Sequence, residues 1–233
     1  MSMSSTDKGL LTPGNCAVIF IDLQPEMLFG AAGRDWEDLL PNVLVLAKAA
    51  KMFDVPVILS TVKAGAFKGR IAPQLLALFP DQQPIPRSSL NAWDDRGFVA
   101  AVRSTGRRNF LMAGLWSEAC LAFPALQMLE EGYGVYVVKD ASRGTNQAAQ
   151  DTALRRVEQA GGVAVTALQV LLEFQRDWAR AEHYEEVTAI VKERCCGYGP
   201  RAEQRSARTG HSALASRGRK HNQRTMTRKE ISK

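Results

Sequence analysis

Residues 17–24 read AVIFIDLQ, five apolar residues running without interruption into an aspartate. An unbroken β-branched and aromatic run, rather than an alternating one, is the mark of a strand buried on both faces of a parallel sheet. The rest of the chain repeats that unit. Val55–Thr61, Asn109–Leu115, Val135–Val138 and Val163–Thr166 have the same character. Between them lie helical patterns: Leu39–Phe53, with Leu40, Val43, Leu44, Ala47 and Ala50 in register, then Pro73–Phe79, Asp95–Ser104, Glu118–Glu131 and Gln147–Ala160. Gly106, Gly132 and Gly161 fall where three of these helices must stop before the next strand. The alternation predicts an α/β domain with a doubly wound, mostly parallel sheet and helices on both faces. Right-handed crossovers then place any site at the carboxyl ends of the strands.

The chain has 233 residues, 45% hydrophobic and 23% charged, enough for one well-packed domain. Its formal net charge is +6. From Gly197 onward ten Lys and Arg stand against Glu203 and Glu230, so this segment carries +8 and residues 1–196 carry −2. The basic character belongs to the tail, and a nucleic-acid surface on the globular part is not indicated. Residues 197–233 lack sustained apolar periodicity and are expected to stay unstructured, with nonspecific nucleic-acid contact as their furthest reach. The expected organisation is an extension over 1–14, a domain over 15–196 and a basic tail over 197–233. No apolar run is long enough to cross a bilayer, and the start lacks a secretory signal, so a cytoplasmic protein without membrane contact is expected. Cys16, Cys120, Cys195 and Cys196 show no zinc-ligand spacing and read as thiols.

His183, His211 and His221 all follow the last βα unit, so no Cys-His or Ser-His-Asp pair is expected in the core. Neither GxGxxG after the first strand nor GxxxxGK[ST] occurs, which weakens dinucleotide and P-loop readings. What remains is polar residues at strand ends. Asp22 closes the first strand, Arg87 follows the third apolar stretch in PIPRSSLNAWDD, and Cys120 follows the fourth strand in FLMAGLWSEACLAFPAL. In a doubly wound sheet these ends share one rim. A helix amino end and a nearby Arg87 both favour a Cys120 thiolate. A buried Asp22 with a raised pKa would accept the thiol proton, and backbone N–H groups in Leu115–Cys120 would form an oxyanion hole. Plainer roles compete at each position: Cys120 as a small core residue, Asp22 as a helix cap, Arg87 paired with Asp94 or Asp95, and Asn91 and Trp93 as turn and packing residues.

These segments are familiar. AVIFIDLQPEM resembles the first-strand motif of isochorismatase-like hydrolases, and FLMAGLWSEACLAFPALQMLEEGYGVYVVKDAS resembles their nucleophile segment. RSSLNAWDD is similar to the YcaC-related branch of that superfamily. The resemblance spans roughly 15–180 and implies a six-stranded sheet, Asp22 as general base and Cys120 as nucleophile. It also implies a cis peptide between Leu115 and Trp116, with the N–H groups of Trp116 and Cys120 as the oxyanion hole. Arg87 stands where most members carry lysine; arginine stays charged and cannot shuttle a proton, so its role would be electrostatic. Gln24, Asn91, Trp93 and Trp116 are the candidate substrate-binding residues, and Phe67, Trp93 and Trp116 suggest an apolar or planar ligand. The metal-binding Asp/His cluster of the nicotinamidase branch is missing, and neither metal nor cofactor is expected. The implied activity is cleavage of a small amide-like C–N bond through a Cys120 thioester, by a homo-oligomer. Two alternatives stand beside it: vinyl-ether cleavage of the isochorismate type, and a non-catalytic oligomeric or redox-responsive binding protein.

Overall fold

The computed structural model describes residues 9–30, 35–62 and 69–194. Most of the amino-terminal extension, Phe67, Cys195, Cys196 and the basic tail lie outside them. The chain divides after His183 into two compact units. The first holds a single six-stranded sheet of β1 (Cys16–Ile21), β2 (Val57–Val62), β3 (Ile85–Arg87), β4 (Asn109–Gly114), β5 (Gly134–Val138) and β6 (Val163–Val165). Every neighbouring pair is parallel, and the order across the sheet is β3-β2-β1-β4-β5-β6.

Every residue of β1 is buried, because this central strand is covered on both sides. Ala17, Ile19 and Ile21 join a core with Phe98, Val102, Ala125, Met128, Ala153 and Val157. Those partners sit on α3 (Arg96–Ser104), α4 (Ala122–Glu130) and α5 (Gln147–Gln159). The alternate residues Val18 and Phe20 point to the other face, as the two-residue period of a strand requires. There α1 (Asp35–Met52) and α6 (Ala167–Gln175) pack together, with the single turn α2 (Pro73–Leu76) beside α1.

Local signals set the boundaries. Asp95, Asn146 and Thr166 cap α3, α5 and α6 by accepting from the N–H groups of Phe98, Ala149 and Gln169. Each such cap is worth about 1 kcal/mol. Gly106, Gly132 and Gly161 follow α3, α4 and α5 at φ 64°, 80° and 98°, where a side chain would strain the turn. The second unit is represented among the described residues by α7 (Tyr184–Arg194), which opens on Glu185 and Glu186 and closes on Lys192 and Arg194, matching its dipole. No described helix is long and apolar enough to span a membrane.

Three features differ from the sequence reading. PIPR supplies the short edge strand β3, too brief to show a pattern. α7 lies beyond the last recognised βα unit. Helix α6 lies in a stretch to which the sequence reading gave no element; its Phe174 is buried edge-on against Phe53, whereas Trp178 beyond it is 52% exposed.

Candidate active site

The strand order reverses between β1 and β4, and there the connections leave in opposite directions, the position at which sheets of this kind hold their sites. Gly114 brings these two strands close: a Cβ on it would lie 2.5 Å from the carbonyl oxygen of Ile21. Asp22 follows immediately, at φ 54°, a left-handed conformation that aspartate tolerates better than most residues. Its N–H donates to Ser60 O, which ties it to β2 at 3.0 Å.

Arg87, the last residue of β3, crosses above β2 to reach Asp22. Two strand spacings, roughly 10 Å, separate the edge strand from β1, so only a long side chain closes this distance. Its Nη2 donates to Asp22 Oδ2, and both side chains are fully buried. Its Nη1 donates to the carbonyls of Ser89 and Leu90. A buried ion pair of this kind is costly to break, because one charge is left without its partner.

Cys120 completes the group. It is fully buried, and Asp22 and Arg87 both lie close enough to act on its thiol. Its thiol is pushed up to about 12 from 9.0, first by burial, then by the charge and hydrogen bond of Asp22, against the lowering pull of Arg87. This reverses the expectation of a favoured thiolate: desolvation outweighs whatever the helix end supplies. The resting residue is a thiol beside a carboxylate and a guanidinium.

The turn carrying Cys120 is a π-helical turn, Ser117–Leu121, ahead of α4. The implied cis peptide between Leu115 and Trp116 is a correction: the bond is trans. The sharp change of direction falls instead on the torsions of Trp116, at φ 30° and ψ 87°. The Cys120 N–H donates to the Trp116 carbonyl at 3.0 Å, so it is already engaged within the turn. Leu115 N–H donates to Ile21 O and Ser117 N–H to Arg143 O, while the Trp116 N–H between them meets no acceptor among the described residues.

The other candidates divide. Trp116 stays beside the group, half-buried, its indole donating to Met27 O at 3.0 Å. Gln24 is buried, and its amide joins the main chain of Val62 and Gly69. Asn91 caps the turn Ala92–Asp94 and donates to Gln127 at 2.6 Å. Trp93 packs among Phe98 and Tyr133 and donates to Glu131 at 2.7 Å. Both side chains are thus held by α4 and the residue that caps its end. The sequence reading passed over Glu118, whose carboxylate accepts from Thr145, and Ser142, whose hydroxyl accepts from Gly114 N–H.

Two further clefts lie elsewhere. One of about 430 Å³ is bounded by Lys51, Asp54, Phe79 and Asp81, and one of about 280 Å³ by Phe53, Phe174, Arg180 and His183. Neither includes Asp22, Arg87 or Cys120.

A parallel sheet of this order with an aspartate, a cation and a cysteine at its switch point defines a class, and the comparisons agree with it. The isochorismatase domain family matches residues 16–169. The chain belongs to that family, in its YcaC-related branch. It is 39% identical over 169 residues to "Probable hydrolase YcaC" of Escherichia coli (strain K12), covering 72% of this chain and 81% of the relative. Among solved structures it resembles YcaC from Pseudomonas aeruginosa with hexane-2,5-diol and covalent acrylamide. That match has a TM-score of 0.79 and 33% identity, over 88% of this chain and all of that one. It also resembles the YcaC gene product from Escherichia coli, described as an octameric hydrolase of unknown specificity. There the TM-score is 0.77 and the identity 34%, over 88% of this chain and 98% of the other.

Proposed function

We propose that the protein is a cysteine hydrolase cleaving a small, amide-like C–N bond through a thioester on Cys120. The observation that carries this is the convergence of Cys120 on the buried, hydrogen-bonded Asp22–Arg87 pair at the switch point.

Because the resting thiol is protonated, attack and deprotonation must be coupled. Asp22 takes the proton from Sγ as sulfur bonds to the substrate carbonyl carbon. The negative charge that develops on the carbonyl oxygen is met by the backbone N–H of Trp116. The C–N bond breaks, the amine leaves with the proton held by Asp22, and the acyl group remains on Cys120. Water then attacks the thioester and gives a proton to Asp22. The C–S bond breaks, the acid departs, and Asp22 returns that proton to sulfur. Throughout, Arg87 keeps its charge, holds the carboxylate in place and offsets the negative charge shared by Asp22 and Sγ.

The covalent acrylamide of the Pseudomonas relative supports a reactive nucleophile in this branch. The octameric Escherichia coli relative supports a homo-oligomer here. The test is ammonia release from a panel of short aliphatic and aromatic primary amides, with and without hydroxylamine. A thioester predicts hydroxamate formed in competition with acid, and loss of both products in Cys120→Ala. Ammonia release that survives Cys120→Ala would overturn the covalent mechanism.

A further inference from the structure

The loop between Ala141 and Asn146 is joined to the Cys120 segment by an unusually complete set of bonds. Arg143 N–H donates to Gly114 O and Ser117 N–H donates to Arg143 O, both at 3.1 Å, and Leu115 and Arg143 form an isolated parallel bridge. The sheet thus extends by one rung past β4. Just beyond it, the Glu118 carboxylate accepts from Thr145 N–H at 3.1 and 3.3 Å and from the Thr145 hydroxyl at 2.5 Å. Bonds to a carboxylate are among the stronger ones a protein makes. Gly144 permits the close approach, since a Cβ there would lie 2.8 Å from Gln150 N and 2.9 Å from Glu118 Oε2. From the far side Gln150 donates to Ser142 O at 3.3 Å, so α5 backs the loop.

Glu118 stands two residues before Cys120, inside the π-helical turn. That turn follows a tryptophan in the left-handed region, a conformation that a bulky residue keeps only when its surroundings hold it. Resting on the reading that Cys120 is the reacting thiol, we propose that Glu118, gripped by Thr145, is a positioning residue. It fixes the Trp116–Cys120 turn against the loop after β5 and so sets the direction of Sγ toward Asp22 and Arg87. It does not touch substrate.

The test uses the full chain and acrylamide as the electrophile, with saturation kinetics followed at Cys120 by mass spectrometry. The variants are Glu118→Ala, Glu118→Gln, Thr145→Val and Thr145→Ser. Misdirecting a reacting atom costs up to about a hundredfold, so Glu118→Ala should lower the limiting rate of addition about ten- to a hundredfold at an unchanged half-saturating concentration. Thr145→Val, which removes one hydroxyl and leaves the fold least disturbed, should lower it less, and Thr145→Ser should restore it. Glu118→Gln should fall between. The double variant Glu118→Ala/Thr145→Val should be no slower than Glu118→Ala alone, because both break one unit. A limiting rate in Glu118→Ala and Thr145→Val equal to or above wild type would overturn the positioning role while leaving the nucleophile in place. A wild-type protein with no saturable addition at Cys120 would overturn the nucleophile reading, and the positioning role with it.

Discussion

At the residue scale, burial decides the chemistry. Asp22 and Arg87 pair with each other out of water, and Cys120 is buried beside them. Cys16, also fully buried, is likewise pushed up to about 12, chiefly by desolvation. Both thiols have an ordinary value of 9.0, which they regain in the unfolded chain. Between about pH 9 and 12 the unfolded chain therefore holds fewer protons than the folded one, and stability falls as pH rises through that window. Below it these groups make no difference to the slope. Urea denaturation at pH 8 and pH 10.5 should show a smaller loss in Cys16→Ala than in wild type; equal losses would contradict the burial effect. Asp22 stood out in the sequence because it directly follows an apolar strand, and Arg87 and Cys120 because they lie at or shortly after other apolar stretches. The direction of the Cys120 shift was not, since helix ends can be read from sequence but desolvation depends on everything packed around the sulfur. The anchors of Asn91 and Trp93 were hidden for a related reason: Gln127 on α4 and Glu131 just after it lie 36 and 38 residues away.

At the scale of elements, the site depends on how closely β1 and β4 approach. Ile21 pairs with Gly114 at the last rung, and Asp22 and the Cys120 turn leave from that point. Gly114→Ala would drive a methyl group into the Ile21 carbonyl, and crowding of this kind costs about 1–3 kcal/mol. We expect chemical denaturation to report a loss of that size, together with slower acrylamide addition to Cys120, because the strand ends are forced apart. An unchanged stability would mean that the sheet relaxes locally and that the close approach is not required. The strands and long helices were readable from their periodicity, and the glycines at 106, 132 and 161 marked the stops correctly. β3 was too short for any period to appear. The π-helical turn at Ser117–Leu121 looks like ordinary helix in sequence, and only the pairing of Leu115 with Arg143 reveals how it is held.

At the scale of the whole molecule, the alternation of strands and helices was enough to define a parallel, doubly wound sheet. Strand order was not written in it, although the resemblance to isochorismatase-like hydrolases implied a fold of this kind. The order matters because it places β1 and β4 side by side and β3 two strands away, which makes a long, permanently charged Arg87 suitable for the reach to Asp22. Exposed Leu90 and Phe123 add apolar surface on the loop after Arg87 and the helix after Cys120, and Trp178 adds more elsewhere. Such surface would suit the subunit contacts of the homo-oligomer proposed above.

The central claim is that Asp22 takes the proton of Cys120, and it is met most directly by the pH dependence of Cys120 alkylation in wild type and Asp22→Asn, read beside amide turnover. The carboxylate raises the thiol and, in the proposed mechanism, is also its base, so removing its charge should have opposite effects on the two readouts. In Asp22→Asn the alkylation profile should shift to lower pH, as the thiolate pairs with Arg87, while turnover is lost. A profile that does not move, or turnover that survives, would contradict the assignment of Asp22 as the base.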